Sequence, residues 1–129
     1  MMRSAKKLVA EAGKVVETLS AAEAAKLAHD PSVVFVDLRE ADEVHKTGRV
    51  RGAVHVPRGL LEFQADPTSP THKRELGGGN RLVLYCGSGS RSALAAKSLK
   101  EMGLASVSHV AGGFGALQQA GVEVDDGRA

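Results

Sequence analysis

LVLYCGSGSRSALAAKSL, residues 82–99, passes from an unbroken apolar run through a glycine- and serine-rich turn into a helix-forming stretch. The first part has the composition of a strand covered on both faces, as strands of parallel sheets are. The last part is helical, and Cys86, the only cysteine among the 129 residues, stands at the junction. Strand, short loop and helix make a βα unit, and the segments on either side repeat the alternation.

Upstream, residues 33–36 form a second solidly apolar, β-branched run that ends in Asp37-Leu38-Arg39-Glu40. Ser20 and Glu23 have the spacing of a capping box and predict a helix over 21–28, stopped by Asp30-Pro31. Short strands are expected at 15–19 and 53–56, the latter closed by Pro57 and Gly59, and short helices at 40–46 and 60–64. Residues 66–80, with two prolines and three successive glycines, read as a surface loop with a helical turn near 72–76. Downstream of Cys86 a helix is expected over 90–102, with Ala95, Leu99 and Met102 on one face and Gly103 at its C′ position. A strand at 107–110 and a helix at 114–119 complete the pattern. Residues 1–14 read as a helical extension, packed on the surface or serving as a partner-binding arm, and 15–129 as one α/β domain. In such a domain ligands gather beyond the C-terminal ends of the strands, where Asp37, Arg58 and Cys86 all fall.

The residues after Cys86 carry a specific chemistry. Gly87 and Gly89 free the backbone so that successive amides turn toward one centre, and a helix starting near Ser90 adds its positive end. Both favour a thiolate at Cys86, with a depressed pKa. Ser88 and Ser90 offer hydroxyl donors and Arg91 a fixed positive charge. The alternative, a buried structural cysteine, does not account for this surround. The loop is neither a dinucleotide fingerprint, since Ser92 replaces the third glycine, nor a Walker A loop, since no Gly-Lys-Ser/Thr occurs.

Composition excludes other classes. A net charge of +2, from 17 Lys and Arg against 15 Asp and Glu, with 3% aromatics, gives no nucleic-acid footprint. It is compatible with a local basic pocket for a small anion. One cysteine allows neither an intrachain disulfide nor a structural zinc site built on two or more cysteines. The basic N-terminal segment has no apolar run long enough for a signal or a membrane span, so a cytoplasmic location is expected.

Four segments in order, VVFVDLRE (33–40), GRVRGAVHVPRG (48–59), YCGSGSRS (85–92) and GLASVSHVAGGFGALQQAG (103–121), resemble the single-domain rhodaneses, which are sulfurtransferases. Leu117 stands where a tryptophan is usual, Arg49 where a histidine is frequent, and the 66–80 insertion is longer than in the smallest members. The resemblance implies a three-layer α/β fold, a mainly parallel sheet of about five strands with helices on both faces. It implies a Cys86 persulfide cradled by the amides of Gly87, Ser88, Gly89, Ser90 and Arg91. Sulfur would pass from a small anionic donor, thiosulfate or a persulfide, to a thiol, a protein or cyanide, with no metal or organic cofactor and no nucleic-acid or membrane partner.

Alternatives remain open. One is a non-catalytic persulfide carrier or protein-binding module. Another is a mercaptopyruvate sulfurtransferase, which the start CGSG resembles and the following Ser-Arg does not. The related phosphatases and arsenate reductases place their arginine six positions after the cysteine, whereas Arg91 is the fifth and Ser92 the sixth. Arg91, Arg58 and Arg39 are the candidate substrate-binding residues, with Asp37 in support. For Arg58 the competing reading is a solvated surface arginine. For Asp37 and Arg39 it is a buried pair that fixes strand ends, the preferred reading for Asp37. His55 and His109 read as structural, and no Cys-His dyad is inferred.

Overall fold

Two five-residue runs, Val33–Asp37 and Arg81–Tyr85, pair in parallel along their whole length and form the middle of the sheet in a computed structural model that describes residues 2–126. Call these β2 and β5. Outside β5 lies β6 (Val107–Val110), and outside that β1 (Glu17–Leu19); beyond β2 lies β4 (Val54–His55). All neighbours are parallel, in the order β1-β6-β5-β2-β4. The expected sheet of about five parallel strands is therefore present.

The pleat divides the core in two. Val36, Leu82, Leu84 and Cys86 face one way, toward α4 (Leu61–Ala65) and α5 (Ser90–Glu101), where they meet Leu61, Ala95, Ala96 and Leu99. Phe35, Val83, Tyr85 and Val110 face the other, toward α2 (Ala21–Ala25) and α6 (Gly113–Gln119), where Ala24, Phe114 and Leu117 close over them. Each fully covered aliphatic side chain is worth about 1.5–3 kcal/mol, so both faces hold the sheet. Helices on both sides make the three layers expected.

The capping box of α2 forms in full: the Glu23 amide donates to Ser20 Oγ, and the Ser20 amide donates to Glu23 Oε1. The N-terminal helix α1 (Ala5–Val15) is capped by Ser4 and packs on α5 through the fully buried Ala12. Lys100 Nζ at the far end of α5 donates to the Val15 carbonyl. The extension expected over 1–14 thus runs on to Val15 and lies against the helix that follows Cys86. Met1 and residues 127–129, the ends of the two expected units, lie outside the described residues.

The strand expected over 15–19 starts only at Glu17, because Val15 still belongs to α1, and three further details differ from the sequence reading. The antiparallel pair β3 (Arg49–Val50) with β7 (Val124–Asp125) had no counterpart in it. Two-residue strands carry no periodicity to read. The helix expected over 21–28 is α-helical only to Ala25. Met102, expected on the buried face of α5, lies past its last turn and is 44% exposed.

Candidate active site

The backbone of β5 delivers Cys86 to the C-terminal edge of the sheet, and Gly89 turns the chain into α5. Gly89 has φ +112°, a left-handed conformation that a side chain would oppose. The turn lets its amide point back at the sulfur, and Gly89 N–H donates to Cys86 Sγ at 3.2 Å. Ser92 Oγ lies 3.7 Å from the same sulfur. Burial pushes the Cys86 thiol up, but the Ser92, Gly89 and Ser88 amides and the Ser92 hydroxyl outweigh it, and its pKa is lowered overall. The thiol is nonetheless fully covered, at 0% exposure.

The hydroxyl beside the sulfur is therefore that of Ser92. Ser88 and Ser90, the two expected to aim theirs inward, are exposed. Ser92 occupies the third position of α5, one step beyond the residues read as the cradle, and is fully buried. It also donates to the Gly89 carbonyl at 3.2 Å and lies 3.0 Å from His109 Nδ1.

A second turn locks the first from behind. Phe114 N–H donates to the Cys86 carbonyl at 2.8 Å. This close approach needs the adjoining glycine: a Cβ on Gly113 would stand 2.4 Å from the Cys86 carbonyl oxygen and 2.5 Å from that of Gly87. The Gly-Gly turn that follows β6 is thus a backing plate for the cysteine loop.

The three candidate arginines have different surroundings. Arg91 pairs with Glu43 of α3 (Ala41–Thr47), Nη1 to Oε1 at 2.7 Å and Nη2 to Oε2 at 3.0 Å. Glu43 was not singled out in the sequence. Its Oε1 also accepts the Glu40 amide at 3.0 Å, and these contacts hold its pKa down to about 2. The pair remains about one-third exposed, and Arg91 Nη2 would lie 3.2 Å from a Cβ on Gly87. Arg91 thus reaches the loop with its charge already paired.

Arg58 follows β4 in a single 3-10 turn and pairs with Glu62 at 2.9 and 3.0 Å. Glu62 also accepts Ser98 Oγ at 2.6 Å, which ties the turn to α5. Arg58 is neither free nor buried.

Arg39 is 3% exposed. Its Nε and Nη2 donate to Asp37 at 3.0 and 2.8 Å, Nη2 also to the Gly48 carbonyl, and Nη1 to Thr47 Oγ1. Its guanidinium lies 4.2 Å from the Phe114 ring centroid. Of the two readings for Asp37 and Arg39, this geometry is the buried pair, and it leaves Arg39 closed to a ligand. The reason is local: the Arg39 amide donates to Asp37 Oδ1, which folds the segment back so that side chain meets side chain.

No group of three or more His, Cys, Asp or Glu side chains among the described residues is placed to hold a metal ion. Among the described residues, no helix is long and apolar enough to cross a membrane. An apolar groove lined by Ala65, Pro67, Leu76, Met102 and Leu104 lies at the opposite end of α5 from Cys86.

Comparison with known proteins agrees with this architecture. The Rhodanese-like domain family matches residues 20–120. A solved protein of unknown function from Rhodopseudomonas palustris CGA009, described as a possible tyrosine phosphatase, is 40% identical with a TM-score of 0.91, covering 97% of this chain and 96% of that one. The polysulfide-sulfur transferase homodimer from Wolinella succinogenes is 27% identical with a TM-score of 0.70, over 93% and 85% of the two chains. A candidate sulfur carrier protein, YrkF of Bacillus subtilis (strain 168), is 33% identical over 89 residues, 69% of this chain and 43% of its own. The chain spans less than half the length of the curated relatives it matches.

Proposed function

The chain belongs to the rhodanese-like domain family, and on that footing we propose that Cys86 accepts a sulfane sulfur and passes it on, so that the protein is a sulfurtransferase. The observation that carries the reading is the tight loop, in which the Gly89 amide donates to Cys86 Sγ at 3.2 Å and the pKa of the thiol is lowered. Cys86 thiolate attacks the outer sulfur of an anionic donor such as thiosulfate. The donor's S–S bond breaks, sulfite leaves with the electron pair, and a Cys86 persulfide anion remains. An acceptor thiolate, or cyanide, then attacks the terminal sulfur and Cys86 leaves as thiolate. This is covalent catalysis with ping-pong kinetics. Arg91, through its position in the cysteine loop, and Arg58, through its guanidinium after Pro57, are the proposed anion-attracting groups at the rim.

The test is direct. Incubation with thiosulfate followed by mass measurement should show one added sulfur atom on the wild type and none on Cys86→Ser. Absence of the gain, or an equal gain on the variant, overturns the reading.

A carrier role is the second reading, favoured by the full burial of the thiol and by the likeness to the candidate sulfur carrier. It is distinguished by a Cys86 that loads but turns over negligibly with cyanide, while a protein thiol unloads it fast. The description of the Rhodopseudomonas protein raises phosphatase activity, against which Arg91 stands at the fifth position and is paired with Glu43. Aryl-phosphate turnover lost in Cys86→Ser would restore it.

A further inference from the structure

A thiol sealed from solvent still has to release its proton to become a thiolate. Four side chains form a line from this sulfur to the surface. Cys86 Sγ is 3.7 Å from Ser92 Oγ, Ser92 Oγ is 3.0 Å from His109 Nδ1, and His109 Nε2 is 3.0 Å from Thr18 Oγ1. Cys86 and Ser92 are 0% exposed and His109 5%, whereas Thr18 is exposed on the edge strand. The pleat explains the alignment. Thr18 pairs in register with His109, and His109 with Leu84, so their side chains share the face on which Cys86 projects two residues later.

We propose that Ser92, His109 and Thr18 form a proton relay between the buried sulfur and solvent, in which His109 is a positioning residue whose tautomer follows the ionisation of Cys86. The relay rests on Cys86 being the nucleophile proposed above. Thr18 lies outside the span matched by the family, so the surface end of the line belongs to this chain's own N-terminal part.

The protons balance. With sulfur protonated, S–H donates to Ser92 Oγ, the Ser92 hydroxyl to His109 Nδ1, and Nε2–H to Thr18 Oγ1. On ionisation each proton moves one place along, and the Thr18 hydroxyl proton passes to water. The thiolate then accepts from Ser92, Ser92 Oγ accepts from Nδ1–H, and Nε2 accepts from the Thr18 hydroxyl. One proton leaves, no electron moves, and the imidazole is neutral at both ends. Neutrality suits the site, since burial lowers the pKa of His109. On the flanking elements Glu17 of β1 pairs with Arg81 of β5, Lys97 of α5 with Glu101, and Lys100 of α5 with the Val15 carbonyl. Arg91 of α5 pairs with Glu43 and also faces the Cys86 sulfur, where its charge favours the thiolate. The Gly89 carbonyl, 3.2 Å from Ser92 Oγ, competes with His109 Nδ1 for the single Ser92 hydroxyl proton while the sulfur is protonated.

Nitrogen NMR on histidine-labelled protein reads the tautomer, and ultraviolet thiolate absorbance, with Cys86→Ser as blank, reads the sulfur. His109 should be Nε2–H below the thiol's titration and Nδ1–H above it, with one shared midpoint. In Cys86→Ser the tautomer should stay fixed over the same range. Ser92→Ala should cut the thiolate fraction at a fixed pH below the midpoint about tenfold and uncouple His109. Thr18→Val, at the exposed edge, should lower that fraction less and in the same direction, and it serves if Ser92→Ala fails to fold. A tautomer that ignores the thiol's titration, or a midpoint unmoved by Thr18→Val, overturns the relay. Sulfur loading is scored separately by mass: loading without coupling sinks the relay alone, and coupling without loading sinks the sulfur-transfer reading alone.

Discussion

Arg91 and Glu43 meet through two parallel hydrogen bonds, Nη1 to Oε1 at 2.7 Å and Nη2 to Oε2 at 3.0 Å, beside the first glycine of the cysteine loop. The arrangement neutralises the charge nearest the sulfur, so an anionic donor competes with a resident carboxylate. Glu43→Gln should release the arginine and lower KM for thiosulfate by about threefold or more, with kcat changed less. An unchanged KM, measured by steady-state kinetics, would remove Arg91 from donor binding.

The same pair makes stability depend on acid. The folded-state pKa of Glu43 is depressed from 4.5 to about 2, so its contribution is fully present above the unfolded value and is lost as pH falls through the folded one. The window is therefore from about pH 5 down to about pH 2. The carboxylate is 35% exposed, and screening reduces the effect to about 1 kcal/mol. Denaturant midpoints taken across that window should fall for the wild type more than for Glu43→Gln. Parallel losses in the two proteins would refute the assignment.

Asp37 and Arg39 are expected to act on folding rather than on the donor. Both are buried, and removing the arginine alone leaves a carboxylate without its main partner. Arg39→Met should therefore lose about 3–5 kcal/mol, read from chemical denaturation. In whatever fraction stays folded, KM for thiosulfate should be unchanged; a raised KM would return Arg39 to the substrate site.

Gly113→Ala tests the contact between the two turns. The glycine has φ +62°, and the added carbon would meet two carbonyl oxygens of the cysteine loop at about van der Waals violation. A loss of about 2–4 kcal/mol is expected, from strain and clash together. The surviving folded protein should also show a raised Cys86 pKa, because the loop must shift. A neutral substitution would show that the two turns are not in register as described.

The sheet was legible because its inner strands are continuous apolar runs, and Val33–Asp37 and Arg81–Tyr85 show that pattern most clearly. Cys86 and its glycines were legible because their meaning is local, set by a strand, a turn and a helix start. Ser92, His109, Thr18 and Glu43 were not. Each matters through a partner on another element, and only strand register or helix packing brings the two together. A polar His109 in the strand at 107–110 was an available signal, and it says that a partner exists without saying which. The β3–β7 pair was hidden for a different reason, since Arg49 and Asp125 are brought opposite each other only after the chain has folded.

Cys86 is walled in, and it has no second thiol in this chain to answer it. A sulfenic acid formed there has no internal sulfur with which to condense, so repair depends on an outside reductant. The cover that a donor has to pass stands equally in an oxidant's way. The covering that limits access to the sulfur therefore also guards it from irreversible damage.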